Sequence, residues 1–121
     1  MPKSNYQKGH WAEKIACGFL MLKGWWPVRM NYVVGRGTGA GEVDLIMVRG
    51  KTLIFVEVKY RPTERQAMEA ISVQNQMRVV RTSAAFLKRY PAYQTYRVRY
   101  DAVLMTPRRW PRHLVDAWRV L

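Results

Sequence analysis

The spacing of apolar residues along the chain predicts an alternation of helices and strands. Residues 5–23 follow a helical period, which Gly24 is expected to end. The residues that recur at this spacing, and are expected to face the core, are Trp11, Ile15, Phe19 and Leu22. Short apolar stretches bounded by turn residues predict strands at residues 26–34, 42–48, 52–60, 96–105 and 113–120.

A second helical region is predicted over residues 65–90, with a break near Ser72. Its apolar stripe consists of Val73, Met77, Val80, Ala84 and Leu87. The order is therefore one helix, three strands, a helical region and two strands, in a length that suits one domain over residues 1–121. We expect an α/β fold in which a small mixed β-sheet of about five strands is flanked by helices.

Scarce acidic residues interrupt two of the predicted strands. The third strand is apolar on both faces and is predicted to be buried, yet it carries Glu57 and Lys59 on one face near its end. The second strand carries Glu42 and Asp44, also on one face, and the two strands should form an antiparallel hairpin. Asp44 and Glu57 are then expected to approach each other across the pair. Glu42 stays open as a further ligand or as the partner of an arginine.

These acids point to metal chemistry, because a carboxylate among apolar residues is costly unless a cation or several donors meet it. Two carboxylates and the backbone carbonyl of Val58 are oxygen ligands of the kind that Mg²⁺ or Mn²⁺ prefers. We interpret Asp44 and Glu57 as metal ligands, and Lys59 as the group that holds an attacking water or stabilises transition-state charge. Glu13, on the first helix, is a candidate fourth member. The simpler alternatives are that Glu57 and Lys59 form an ion pair at the strand end, and that Asp44 pairs with one of the many arginines.

The charge balance narrows the class of partner. The chain has 21 Lys+Arg against 8 Asp+Glu, a formal net charge of +13. A folded domain with this excess attracts polyanions, and nucleic acid is favoured over membrane headgroups because no clear basic amphipathic helix or lipidation signal occurs. The apolar runs are too short to span a membrane, the N-terminus lacks a secretory apolar core, and the single cysteine excludes an intrachain disulfide. We therefore expect a cytoplasmic setting.

Arginines spread along the chain form the predicted binding face. Those expected to contact phosphates, without reading base sequence, are Arg36, Arg61, Arg78, Arg81, Arg108 and Arg109. The glycine-rich loop at residues 35–41 is either a flap over phosphates or a simple hairpin connection. Trp110, among arginines, could stack on an unpaired base, although capping of the core is the favoured interpretation.

The other titratable residues are not assigned to the site. His10 and His113 show no ligand spacing between them and are interpreted as structural or surface groups. Asp101 is expected to pair with an arginine. Cys17 is expected to be a small buried apolar group on the first helix.

The two strand motifs also resemble a known family. Residues 41–46 and 55–61, taken together, resemble the YraN-like family of small bacterial proteins, whose fold is that of PD-(D/E)xK nucleases and archaeal Holliday-junction resolvases. The resemblance extends over nearly the whole chain, from the first helix to residues 116–118. It implies a restriction-endonuclease-like core and a metal-dependent, structure-selective endonuclease acting on DNA rather than RNA. Its signature would fall on Asp44, Glu57 and Lys59, and its helical acid on Glu13.

One departure from the family pattern supports an alternative function. The family usually has a lysine in the long helix near residue 75, where this chain has Asn75. The alternative is a non-catalytic nucleic-acid-binding module on a nuclease-like scaffold. A third interpretation is a basic protein that binds a protein partner. A resolvase-like role would suit a homodimer, although no segment of the sequence specifies one.

Overall fold

The computed structural model describes residues 5–35 and 41–120, with side chains from residue 10 onward. The elements, in chain order, are helix α1 (Asn5–Leu22), strands β1 (Trp26–Val33), β2 (Glu42–Arg49) and β3 (Thr52–Tyr60), helices α2 (Glu64–Glu69) and α3 (Val73–Arg89), a short 3₁₀ turn (Pro91–Tyr93), and strands β4 (Arg97–Met105) and β5 (Arg112–Trp118). The predicted α/β fold, a five-stranded mixed sheet flanked by helices, is confirmed. Among the described residues, no helix is both long and apolar enough to cross a membrane.

The five strands form one sheet in sequence order, β1-β2-β3-β4-β5. All neighbours are antiparallel except β3 and β4, which are parallel and are joined by the crossover through α2 and α3. The predicted hairpin between β2 and β3 is confirmed, with Gly50 at a positive φ of 59° in its turn. Strand β3 is central, and its residues from Leu53 to Val58 are buried, as predicted.

Helices cover both faces of the sheet and create two cores. On one face, α1 packs its small residues Ala12 and Ala16 against a cluster that includes Leu45, Ile54 and Val56. The other face is covered by α2 and α3, and its cluster includes the residues Val43, Ile46, Phe55, Val79, Phe86 and Tyr100. Since both faces of β3 are covered, any polar group on this strand must find a partner within the protein or at the end of the sheet.

The predicted core face of α1 is wrong by about one residue. Trp11 is 49% exposed and Leu22 82% exposed, and only Phe19 of the predicted set packs against the core. The buried residues of α1 are instead Ala12, Glu13, Ala16, Cys17 and Leu20. Alanines let the helix lie close to the sheet, whereas Trp11 fits at its flank, edge-on to Tyr60. The prediction assigned the core face to the largest apolar residues of this helix, and most of those residues do not face the sheet.

The second helical region divides as expected, but its buried face also differs. Ser72 separates α2 from α3 and caps α3, its hydroxyl accepting a hydrogen bond from the Asn75 amide. Of the predicted stripe, Val80 and Leu87 pack against the core, whereas Val73 and Met77 are exposed. The buried residues of α3 are Val79, Thr82, Ser83 and Phe86. Two hydroxyl residues take core positions because each bonds locally, Thr82 to the Arg78 carbonyl and Ser83 to the Val80 carbonyl.

One end of the sheet collects the functional candidates, and we call it the carboxylate end. The amino end of β2 and the carboxyl end of β3 meet there. Leu45 of β2 pairs with Val56 of β3 near this end, and the turn of the hairpin lies at the opposite end of the sheet. The carboxyl end of β4 lies beside them, since Tyr60 pairs with Met105 in the parallel register. Acids that are far apart in sequence can therefore meet at this end.

Gly41, the residue before β2, packs closely against α3. Its φ is +109°, and a Cβ built there would lie 3.0 Å from the Arg78 Cβ and 3.2 Å from the Thr82 hydroxyl oxygen. Gly41→Ala is expected to lower the free energy of unfolding by about 1–3 kcal/mol in urea titration. Gly18→Ala is the matched control. It lies in α1 with open space around it and is expected to stabilise the protein by about 0.4–1 kcal/mol. Equal effects of the two substitutions would contradict this packing.

Candidate metal centre and nucleic-acid interface

The eight acidic residues divide into two groups of four, and within the part of the chain that the structure describes only one group is paired with arginines. Salt bridges join the four paired acids to arginines as Arg112–Glu64, Arg65–Glu69, Arg99–Asp101 and Arg119–Asp116. The other four are Glu13, Glu42, Asp44 and Glu57. Within residues 10–35 and 41–120, no arginine forms a salt bridge with any of these four. In so basic a chain, the lack of arginine partners suggests that this second group of acids binds a cation other than arginine.

Asp44 lies at the centre of this group, at a point where β2 no longer alternates regularly between the two faces of the sheet. Val43 packs against the α3 face and Leu45 against the α1 face, although two residues apart on a regular strand should share a face. The strand therefore changes phase at Asp44. Its Oδ2 accepts a hydrogen bond from the backbone N–H of Val58 on β3, at 2.8 Å. The carboxylate thus bridges the two strands beyond the last pair of the ladder, Leu45 with Val56.

Glu13 and Glu42 complete a group that suits a divalent cation. One carboxylate oxygen from each of Glu13, Glu42 and Asp44 lies within 4.8 Å of the others. The Oε2 atom of Glu13 is buried and has no hydrogen-bond partner among the described residues. Three hard oxygen donors, one of them buried without a hydrogen bond, fit Mg²⁺ or Mn²⁺. These residues could therefore hold such an ion.

Glu57 lies beside this group but outside it. It is 6% exposed, and its carboxylate is 3.6 Å from the ammonium of Lys59. The neighbouring charge of Asp44 nevertheless acts on it. Sequence reasoning expected Asp44 and Glu57 to bind a cation together, with Glu13 at the side. In the structure, it is Glu13 and Glu42 that form one group of carboxylates with Asp44. The role of Glu57 as a second ligand of the same cation stays a prediction.

The electrostatics of the four acids reflect burial and crowding. Burial, and next the charge of Asp44, raise the pKa of Glu13 to about 8 and that of Glu57 to about 8. Burial also raises the pKa of Asp44, although the hydrogen bond from Val58 acts in the opposite direction. Burial raises the pKa of Glu42 as well. A proton on Glu13 would give it a hydrogen bond to Asp44, and a bound cation would remove the need for that proton.

His10 also lies at this site, which sequence reasoning did not anticipate. Its Nδ1 is 3.6 Å from the Glu13 carboxylate and 3.3 Å from the Asn31 side-chain amide. Asn31 has a positive φ of 54°, which turns β1 at this point. The spacing of His10 and Glu13, three residues apart on one helix, was a usable signal for their contact. The histidine was interpreted as a structural or surface group because no second histidine lies at ligand spacing.

Asp101 pairs with an arginine, as expected, and is a buried acid whose two carboxylate oxygens both accept hydrogen bonds. It is fully buried and accepts two hydrogen bonds from the Arg99 guanidinium at 2.8 Å and one from the Asp116 amide at 2.9 Å. His113 lies 2.6 Å away on the other side. The partners hold the pKa of Asp101 below its usual value, against the effect of burial. His113 is therefore structural, and it also contacts Lys23 at 2.8 Å.

Most of the predicted phosphate-contacting arginines lie at the carboxylate end. Arg61 follows β3 directly, and Arg108 and Arg109 lie in the loop after β4, all three exposed. Arg78 is exposed on α3 beside Gly41, where β2 begins, and Arg81 is exposed one turn later. Arg36 lies outside the described residues, as does most of the glycine-rich loop. Among the described residues, none of these arginines forms a salt bridge with Glu13, Glu42, Asp44 or Glu57.

Trp110 does not cap the core, contrary to the favoured interpretation. It is 81% exposed and lies at the mouth of a groove between the β4–β5 loop and α1. Prolines on both sides, Pro107 and Pro111, limit the conformations of this loop and keep the ring out of the core.

Asn75 has a structural task at the start of α3. Its side-chain amide donates a hydrogen bond to the Ala70 carbonyl at 3.1 Å, and its backbone N–H donates to the Ser72 hydroxyl. These bonds tie the end of α2 to the cap of α3. A lysine at this position would replace the short amide donor with a flexible, charged ammonium donor. Asn75, the residue that departs from the family pattern, therefore stabilises the connection between α2 and α3.

Comparisons with known proteins place the chain in a family. The profile of the uncharacterised protein family UPF0102 matches residues 12–105. A UPF0102 protein of Paramagnetospirillum magneticum is 46% identical over 94% of this chain and 88% of its own length, and one of Parvibaculum lavamentivorans is 45% identical over 94% and 83%. Among solved structures, a Holliday junction resolvase of Archaeoglobus fulgidus matches with a TM-score of 0.46 and 18% identity, covering 85% of this chain and 72% of that protein. The chain belongs to the uncharacterised protein family UPF0102, as the YraN-like resemblance of its strand motifs predicted.

Proposed function

We propose that this protein is a metal-dependent endonuclease that selects DNA by its structure and hydrolyses a phosphodiester bond. The observation that carries the proposal is the separation of the acids. Three carboxylates converge at one end of the sheet with Glu57 beside them, and none of the four forms a salt bridge with an arginine of the described residues, in a chain with 21 Lys+Arg. A merely structural cluster would be stabilised most simply by one of those arginines. Acids kept free of them are suited to a divalent cation and a phosphate.

The ligands we propose are Asp44 at the centre, Glu13 and Glu42 from the group already assembled, and Glu57 from β3. A bound Mg²⁺ or Mn²⁺ would polarise a phosphoryl oxygen and make a water molecule more acidic. Asp44 fixes the spacing between β2 and β3 through its hydrogen bond with Val58. Glu13 supplies a buried oxygen, Oε2, that has no hydrogen-bond partner among the described residues.

Lys59 is the proposed positive group beside the reacting phosphate. Its ammonium pairs with Glu57 at 3.6 Å and its side chain is 19% exposed, so one side can reach a ligand. A lysine placed there can orient the attacking water and stabilise the charge that grows on the phosphoryl oxygens. The exposed Arg61, Arg78, Arg108 and Arg109 would hold the flanking phosphates. Arg36 and Arg81 are proposed as further contacts of the same kind.

A second candidate is a non-catalytic module that binds nucleic acid on this scaffold. The engagement of Asn75 in the connection between α2 and α3 favours it, because that position then offers no cation to a substrate. This module would bind DNA with a steep dependence on salt and would not need a metal. Metal binding therefore distinguishes the two candidates.

The test is cleavage of a flapped or branched DNA by the purified protein. We expect cutting with Mg²⁺ or Mn²⁺ and none with EDTA, and a Mn²⁺ titration by calorimetry should show binding that Glu13→Gln weakens by about tenfold or more. Glu69→Gln, an exposed acid paired with Arg65 on α2, is the matched control and should bind Mn²⁺ as the wild type does. DNA binding without any Mn²⁺ binding would favour the module and contradict the enzyme.

A further inference from the structure

A groove next to the carboxylate end is lined by aromatic residues to which the proposed hydrolysis gives no role, beside arginines proposed to hold phosphates. It has a volume of about 520 Å³, and its principal lining residues are Trp11, Ile15, Tyr60, Arg108, Arg109 and Trp110. That volume is within the range of small-molecule sites, roughly 300–1,000 Å³. We infer that this groove, which we call the tryptophan groove, receives an unpaired nucleobase of a DNA strand. The inference rests on the proposed function in that nucleic acid is the ligand.

The aromatic rings provide the surface on which a base would stack. Trp110 is 81% exposed and Trp11 is 49% exposed, so both leave apolar area in contact with water. Trp11 is held edge-on to Tyr60, with ring centroids 5.8 Å apart and planes at 85°. One wall of the groove is therefore fixed before any ligand arrives, which reduces the ordering cost of binding. Stacking of a base on such rings is tolerant of base identity.

The charge of the groove selects a nucleotide over an apolar ligand. Arg108 and Arg109 both line it, and neither forms a salt bridge with a described residue. Arg61 is exposed at the end of β3 nearby, where its backbone N–H is bonded to the Met105 carbonyl. A base between the aromatic rings would have its flanking phosphates beside these guanidinium groups. An apolar peptide or acyl chain would leave the arginines unpaired.

The groove and the central acids share two structural elements. On α1, Glu13 lies between Trp11 and Ile15 in sequence, so the same turn supplies an acid to the metal centre and two walls to the groove. On β3, Tyr60 follows Lys59 directly. The parallel pairing of Tyr60 with Met105 brings the loop of Trp110 to the same end. The groove and the acids therefore lie at the same end of the sheet, which suits a substrate with a junction between paired and unpaired regions.

The base must be unpaired, because stacking on Trp110 needs a free ring face. A base inside a duplex has both faces covered by its neighbours, and taking it out of the stack costs a few kcal/mol. A flap, a single-stranded overhang or a branch point offers such a base without that cost. The tryptophan groove would thus explain selection by DNA structure without any reading of sequence.

The test compares two DNAs in EDTA, so that binding is measured without cleavage. One is a blunt duplex and the other is the same duplex with an overhang of unpaired thymines, at one salt concentration. We expect the wild type to prefer the overhang, and Trp110→Ala to weaken binding of the overhang DNA by between about five- and a hundredfold while leaving blunt-duplex binding within twofold. Trp110→Phe should retain most of the preference, because a ring is restored.

Trp26→Ala is the matched control. Trp26 is 66% exposed and pairs with Val48 at the opposite end of the sheet, so it should not alter the preference. An equal loss from Trp26→Ala, or wild-type affinity in Trp110→Ala, overturns the inference and leaves the proposed hydrolysis intact. An overhang preference that depends on Trp110, in a protein that never cleaves with metal, supports the inference and removes the hydrolase. Failure to bind either DNA overturns both.

Discussion

Asp44→Asn is expected to abolish DNA cleavage and, at the same time, to stabilise the metal-free protein. The amide oxygen can still accept the hydrogen bond from Val58, so the β2–β3 hairpin should be retained. What is lost is one negative charge from the centre of four crowded carboxyls. We expect cleavage to fall by at least about a thousandfold, which corresponds to about 4 kcal/mol of transition-state stabilisation.

The gain in stability follows from the same crowding. At pH 8 and without metal, removing the Asp44 charge relieves repulsion on Glu13 and Glu57. A relief of about 1 kcal/mol would raise the Tm by roughly 4 °C in a domain of this size. Active sites often hold such unfavourable charge because the ligand, and not the fold, requires it. Thermal unfolding followed by circular dichroism measures the shift.

Asp116→Asn is the control for this experiment, since it makes the same chemical change elsewhere. Asp116 has a positive φ of 57°, which asparagine also tolerates, and its partner Arg119 is exposed. This variant should keep full cleavage. Loss of cleavage in both variants would show that the assay reports folding, and full cleavage in Asp44→Asn would contradict the assignment of the site.

The second large effect is a fall in the stability of the metal-free protein as the pH rises. The folded pKa values of Glu13 and Glu57, each about 8, lie above the value of about 4.5 expected for an unfolded glutamate. Between these values the folded state binds more protons than the unfolded state. The contribution of these groups is therefore fully present below about pH 4.5 and is lost as the pH rises to about 8. For Glu57, the slope is at most about 1.4 kcal/mol per pH unit.

A comparison of variants separates this effect from other titrating groups. Glu57→Gln cannot ionise, so its unfolding free energy should fall less steeply than that of the wild type between pH 5 and 8, as measured by urea titration in EDTA. Asp101 has a lowered pKa, so its contribution is lost only in more acidic solution and adds no slope in this window. Mn²⁺ should raise the wild-type curve most at high pH, because the ion binds the charged carboxylates. Parallel curves for wild type and Glu57→Gln would contradict the raised pKa.

Strand patterns predicted most of the fold. The buried central strand β3, the hairpin with β2 and the break at Ser72 all follow from local apolar runs and turn residues. The parallel pairing of β3 with β4 was not predicted, because it depends on how two helices cross the sheet. The buried faces of α1 and α3 were predicted only in part, with Phe19, Val80 and Leu87 among the residues that do pack against the core. Close packing there uses alanine, serine and threonine, which a search for large apolar residues does not find.

The candidate site was predicted in outline, and its details needed coordinates. Period-two spacing put Glu42 and Asp44 on one face, and the apolar context marked Glu57 as unusual. The phase change of β2 at Asp44 is invisible in the sequence, and so is the grouping of Glu13 and Glu42 with Asp44. His10 was missed for a related reason, since its contact with Glu13 becomes meaningful only once α1 is docked at the end of the sheet.

The most direct test is the location of a manganese ion in a crystal grown or soaked with Mn²⁺, found by its anomalous scattering. We expect one strong peak among the carboxylate oxygens of Glu13, Glu42 and Asp44, with Glu57 and the Val58 carbonyl on its β3 side. A well-ordered crystal at saturating Mn²⁺ with no peak at this position would contradict the proposed hydrolase.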